Sequence, residues 1–291
     1  MKTVTIIDSD EYAKHGIVCG TLATGEPTVH VPSFDSHILL YLKLRDWQSV
    51  GYASLIMETL NRRNWLYRTR AFIPYFPGSQ QDCREKHAPF ALQQFWRMLH
   101  HQHIPIDTFD MRSIVGIDYI DGDNYNWHSI GGLPVRVLPP VGLVTVVEQG
   151  ASARNTKPLQ SMYPNARVFR AERTFDPLSG ELHGVRLPEL AHAGEYIVYL
   201  NICADSALPN KIAEAFKRDP LGRASKLTLL VSHGVFSDGV SSLDPLYESV
   251  ITTEGSGLSA GRDGGRTLHV VRFGTILRQC ALALDGQRVV T

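Results

Sequence analysis

Short, nearly unbroken apolar runs recur along this chain, and the segments between them carry their apolar residues at helical spacing. Runs such as IVYLNI (197–202) and LTLLV (227–231) show no alternation of apolar and polar residues. Strands read this way when both faces of their sheet are covered, and such sheets are mainly parallel because crossover helices do the covering. Candidate strands are Thr3–Ile7, His37–Leu44, Ala71–Phe76, Leu143–Glu148, Tyr196–Ile202, Leu227–Ser232, Ser249–Thr253 and Leu268–Phe273. Three helices are legible between them. Tyr52, Leu55, Ile56, Thr59 and Leu60 make one stripe, and Leu92, Phe95, Trp96 and Leu99 a second. Ile212, Ala215 and Phe216 make a third, with Pro209 suited to a first helical position and Pro220 and Gly222 ending the helix. Strand and helix in alternation define an α/β fold.

Length and composition limit what such a fold serves. The 291 residues suggest two domains at roughly 150 residues each. The segment GGLPVRVLPPVG (131–142), rich in Pro and Gly, is the best internal boundary, giving halves of 1–138 and 139–291. No low-complexity tract and no repeat of about 20–50 residues is visible. Lys and Arg number 29 and so do Asp and Glu, so no overall field points to nucleic acid or an anionic membrane. No run reaches about 18 apolar residues, and the opening MKTVTIIDSDEY does not read as a secretory signal, so a cytoplasmic protein is expected. Cys19, Cys83, Cys203 and Cys280 form no close pair, which argues against a zinc site or a disulfide framework.

Other groups have plain readings. His100, His101 and His103 do not share one helix face and suit a helix C-terminus, where positive charge is favoured, better than a metal. GSGLSAGRDGG (255–265) lacks the Lys-Ser/Thr of a phosphate loop and reads as a surface loop. Arg167, Arg170 and Arg173 lie unevenly along a strand-like stretch and read as a solvated face, although Arg173 and Arg112 together would suit an anion.

Four segments, in order, resemble the ribose-phosphate diphosphokinase (PRPP synthetase) family. They are IPYFPGSQQDCREKHAPF (73–90), VVEQGASARN (146–155), RAERTFDPLSGELHG (170–184) and a final set: IVYLNICADSALPNKIAEAF (197–216), LTLLVSHGVFSDG (227–239) and VITTEGS (250–256). The first is most similar to a branch linked to NAD salvage and to ADP-ribose as a substrate. The third is similar to the family's mobile catalytic loop and following hairpin. The resemblance implies an α/β fold of two phosphoribosyltransferase-like (type I) domains with mainly parallel sheets. It also implies a homo-oligomer, or a hetero-oligomer with a related synthetase, and a nucleotide or sugar-phosphate ligand, with no nucleic acid or membrane partner. The implied reaction moves diphosphate from ATP to the 1-hydroxyl of ribose 5-phosphate, which rests on positioning, on cations and on Mg²⁺.

Site residues carried over by the resemblance are Arg173 and His233 as catalytic, Glu26, Gln81, Asp82 and Arg112 for the nucleotide, Asn201, Asp205 and Ser206 for the sugar-phosphate loop, and Asp110 for the metal. His233 reads equally as a loop cap, and Gly25–Glu26 reads first as a turn between two strands. Many of the positions depart from the family. Gln80 stands for an arginine fork and so loses its charge-assisted bonds, and Cys83 stands for a second arginine. Arg112 replaces a His beside the retained Asp110, and Phe175 replaces an Arg two residues after Arg173. Glu148 replaces an Asp, and Leu200 and Asn201 replace the acidic pair that holds the ribose hydroxyls. The loop reads ADSAL (204–208) without its glycines, and Asp205 falls where a phosphate would approach. These losses imply a diverged regulatory partner or ligand binder. The alternatives are an active diphosphokinase using Asp82, Asp110, Glu148, Arg173 and His233, or different chemistry on a sugar phosphate or nucleotide.

Overall fold

The computed structural model describes residues 3–76, 78, 91–111, 125–133, 135, 140–146, 152–175, 182–190, 192–256 and 268–286. The chain divides into two units: Met1–His128 with Phe273–Thr291, and Ser129–Arg272. The sequence places its boundary at 138/139, while the units divide after His128 and again after Arg272.

In the first unit five parallel strands run in the order β1 (Val4–Asp8), β4 (His37–Tyr41), β5 (Thr69–Ile73), β6 (Ile106–Phe109), β7 (Tyr125–His128). An antiparallel hairpin of β2 (Val18–Thr21) and β3 (Pro27–His30) stands beside them. Helix α1 (Trp47–Arg62) starts at a capping box: Ser49 N–H donates to Asp46 Oδ1 (2.7 Å) and Asp46 N–H to Ser49 Oγ (3.0 Å). Alternate strand residues Ile38, Leu40, Ala71, Ile73 and Ile106 pack with α1 and α2 (Ala91–His100). The buried face of α1 is Val50, Ala53, Ile56, Met57 and Leu60, rotated from the stripe that the sequence suggests. Tyr52, Leu55 and Thr59 are only half-buried, and the Tyr52 hydroxyl donates to Gly20 O on the hairpin (3.2 Å).

The opposite face of this sheet carries Leu39, Tyr41, Phe72 and Phe109, and α5 (Gly274–Gly286) packs against β4 and β5 there. Phe273 meets Phe72 and Phe109 edge-on, at 5.3 and 4.9 Å between ring centroids.

The second unit holds a seven-stranded sheet: β10 (Leu182–Arg186), β9 (Arg167–Phe175), β8 (Gly142–Val146), β11 (Glu195–Cys203), β12 (Lys226–Gly234), β13 (Ser249–Thr253), β14 (Leu268–Val271). Only the β9–β10 pair is antiparallel. Helix α3 (Ser152–Met162) follows β8, and α4 (Ala207–Arg218) follows β11. One face of β11 and β12 packs Val198, Leu200, Leu229 and Val231 against Ile212, Ala213 and Phe216 of α4. Pro209 is the third helical residue rather than the first, a place where a missing N–H costs nothing because the first turn has no intrahelical acceptors. After α4, Asp219 caps a one-turn helix, Pro220–Arg223, so Pro220 restarts the helix as well as ending it.

Candidate functional site

In open parallel sheets ligands gather beyond the carboxyl ends of the strands. In the second unit that edge is formed by the ends of β11, β12 and β13. After β11 the chain turns through Ala204, Asp205 and Ser206 into α4. The first N–H groups of a helix lack partners inside it and attract anions. Here the protein supplies the anions itself. Ala207 N–H donates to Asp205 Oδ1 (3.0 Å). Ser206 N–H donates to both carboxylate oxygens of Asp238 (3.0 and 3.2 Å), and the Ser206 hydroxyl also bonds to Asp238.

Asp238 reaches this position because the turn after β12 is tied to the turn after β11. The N–H groups of Val235 and Phe236 donate to Cys203 O (2.8 and 3.2 Å), and Ser237 N–H to Ala204 O (2.8 Å). Phe236 takes a left-handed backbone, φ 45°, which an L residue adopts only at some cost. Before it, Gly234 has no room for a side chain: a Cβ there would lie 2.2 Å from the Phe236 ring and 2.6 Å from Thr252 Oγ1. The Cys203 thiol donates to Asp205 O (3.1 Å), and burial, reinforced by the charges of Asp205 and Asp238, pushes it up to about 12. Below it the Tyr247 hydroxyl donates to Pro209 O (2.7 Å) and is pushed up by burial.

The other carried-over residues are dispersed. His233, 2% exposed, sits in β12 opposite Ile202, one residue before Gly234. Asn201 is half-buried in β11, while Leu200 is part of the hydrophobic core. Arg173 lies within β9 opposite Val185, so the segment expected as a loop from residue 170 is strand through Phe175. Glu26 is exposed in the turn of the β2–β3 hairpin, where its side chain accepts from Thr24 (2.9 Å) and Gly25 adopts φ 88°. Asp110 is fully buried just after β6, at φ 40°, and its N–H donates to His128 O (2.8 Å). Gln80, Gln81, Asp82, Cys83, Arg112 and Glu148 lie outside the described residues.

Mg²⁺ takes oxygen ligands, usually one or two carboxylates with waters. Among the described residues, the one group of three His, Cys, Asp or Glu side chains close enough to share an ion is Asp107, His128 and Cys280, which does not include Asp110. A thiol and an imidazole are poor partners for Mg²⁺. The histidine trio is no such group either: His100 closes α2 and its ring stands 6.4 Å from that of His103. Asp238 carries no signal in the sequence, because its role depends on a bond to Ser206, 32 residues away in the chain.

The fold is of the α/β class, two units each built on a mainly parallel sheet. In particular, it is similar to the crystal structure of phosphoribosylpyrophosphate synthetase from Mycobacterium smegmatis. The TM-score is 0.69 over 99% of this chain and 99% of that one, at 15% sequence identity. No protein-family model and no curated protein matches the sequence. At this identity the likeness shows the fold.

Proposed function

We propose that this chain is a diverged protein of the PRPP synthetase fold that does not transfer diphosphate from ATP to ribose 5-phosphate. It acts as a regulatory or structural partner within an oligomer of its own or with a related synthetase, or as a binder of a nucleotide-like ligand. The observation that carries this reading is the pair of carboxylates, Asp205 and Asp238, bound to the first N–H groups of α4. A sugar phosphate seated there would displace Asp238 and face two negative charges. Like charges there repel a phosphate, by less than a buried pair would because both carboxylates are exposed to screening solvent.

The replaced acidic pair supports the same reading, since the Leu200 side chain is committed to the core. An oligomer is implied by the family resemblance and a cytoplasmic setting by the absence of a signal-like opening or a long apolar run in the sequence; no helix among the described residues is long and apolar enough to cross a membrane. Mg²⁺ belongs to the alternative, an active diphosphokinase.

AMP release from ATP and Mg²⁺, with ribose 5-phosphate and separately with ADP-ribose, tests the proposal. Folded protein should give no AMP above background with either substrate. Substrate-dependent AMP would mean that other residues have rebuilt the site and would overturn the reading.

A further inference from the structure

Beneath α5 the first unit buries a polar cluster that the strand-end site does not use. Arg70 on β5 holds Asp107 on β6 through two parallel bonds, Nε to Oδ2 at 2.5 Å and Nη2 to Oδ1 at 2.7 Å, with the side chains only 3% and 1% exposed. Cys280, from the middle of α5, reaches the same place, its Sγ 3.6 Å from His128 Nε2 at the end of β7. One donor atom each of Asp107, His128 and Cys280 lies within 4.8 Å of the other two.

We propose that Asp107, His128 and Cys280 form a binding site for a borderline-soft divalent ion of the Zn²⁺ class, which fastens the C-terminal helix to the first sheet. The donor set, thiolate, imidazole and carboxylate, is one that Zn²⁺ takes and that Mg²⁺ and Ca²⁺ do not. The spacing agrees: a Zn–S bond of about 2.3 Å and a Zn–N bond of about 2.0–2.1 Å, at a tetrahedral angle, put sulfur and nitrogen about 3.5–3.6 Å apart. The Arg70 fork occupies one lone-pair direction on each carboxylate oxygen, leaves another on each, and fixes the orientation of the group, as hydrogen-bonding partners of metal-bound carboxylates do. Because Arg70 and Asp107 cancel in charge, the ion meets one uncompensated anion, the thiolate formed when the Cys280 proton leaves to solvent. His128 is only half-buried and gives the ion and a fourth, water ligand a way in.

No spacing motif announces such a site. The donors sit at positions 107, 128 and 280, and only the packing of α5 on the sheet assembles them. The ion would close a loop spanning most of the chain, and metal binding of this kind adds directly to folding stability.

The test uses the full chain, stripped with a chelator and titrated with Co²⁺, whose thiolate bonds give a near-ultraviolet charge-transfer band. The expected result is one Co²⁺ per chain with that band, displacement by Zn²⁺, and a higher thermal midpoint with Zn²⁺ than with chelator. Cys280→Ser should lose the band and the thermal shift, and Cys19→Ser should keep both. A folded wild-type chain with no charge-transfer band at excess Co²⁺ would overturn the site and leave a thiol–imidazole hydrogen bond in its place. A band that survives in Cys280→Ser would overturn it too, by assigning the thiolate elsewhere. The wild-type titration decides even if a variant fails to fold.

Discussion

Both units hold carboxylates against positive partners, and the two arrangements differ in what they leave over. At the head of α4, Asp205 and Asp238 meet backbone N–H groups and a hydroxyl at the sheet's edge. On the proposed reading, their bonds take up donors that a ligand phosphate would need. Under α5, Asp107 meets a single guanidinium in the interior, and a thiol and an imidazole stand beside it. There the carboxylate keeps capacity for a further cation. On the proposed readings, the same residue type opposes an anion in one place and offers a ligand to a cation in another; the partners decide which.

The comparison breaks most visibly at Arg70. Arg70→Met leaves the Asp107 charge buried without its partner, and a loss of about 3–5 kcal/mol is expected in denaturant unfolding. Adding Asp107→Leu should recover much of it, since an apolar pair of similar volume replaces an ion pair at little cost. Next comes Gly234→Ala. Its Cβ would collide with the Phe236 ring and Thr252, so the turn that brings Asp238 to α4 must shift, at about 1–3 kcal/mol by the same assay.

Asp238→Ala strips Ser206 of its acceptor. A cost of about 1–2 kcal/mol is expected, together with protection by inorganic phosphate in thermal unfolding that the wild type does not show. A smaller effect separates the cysteines. Cys203, raised to about 12, should stay unmodified by an alkylating reagent at pH 8 in the folded chain and react once it is unfolded.

The least effect is at His100. Burial first, then the charges of His103 and His101, lowers its pKa below the ordinary 6.5. The folded chain therefore holds fewer protons there than the unfolded one. The stability from this difference is complete above about 6.5 and is lost as pH falls through the folded value. The His100 ring should titrate below 6.5 by NMR.

Much of the fold was legible because fully buried parallel strands announce themselves: His37–Tyr41, Glu195–Cys203 and Lys226–Gly234 are almost wholly buried and read as apolar runs. Strands β6 and β7 were missed because their faces carry Asp107, Asn126 and His128, and the partners of Asp107 and His128, Arg70 and Cys280, are supplied only by the tertiary structure. Helix α3 was missed for its polar sequence and internal Pro158. For the candidate site the sequence offered only departures from the family pattern at Leu200, Asn201 and Asp205. Closure by Asp238 was not legible, because nothing near Ser206 in the sequence foretells a carboxylate arriving from the next strand's turn.

The most direct measurement is ligand-detected NMR of ribose 5-phosphate with the wild-type chain. The account predicts no saturable binding, because Asp238 holds the donors that the phosphate requires. Saturable binding that is displaced by inorganic phosphate would contradict it.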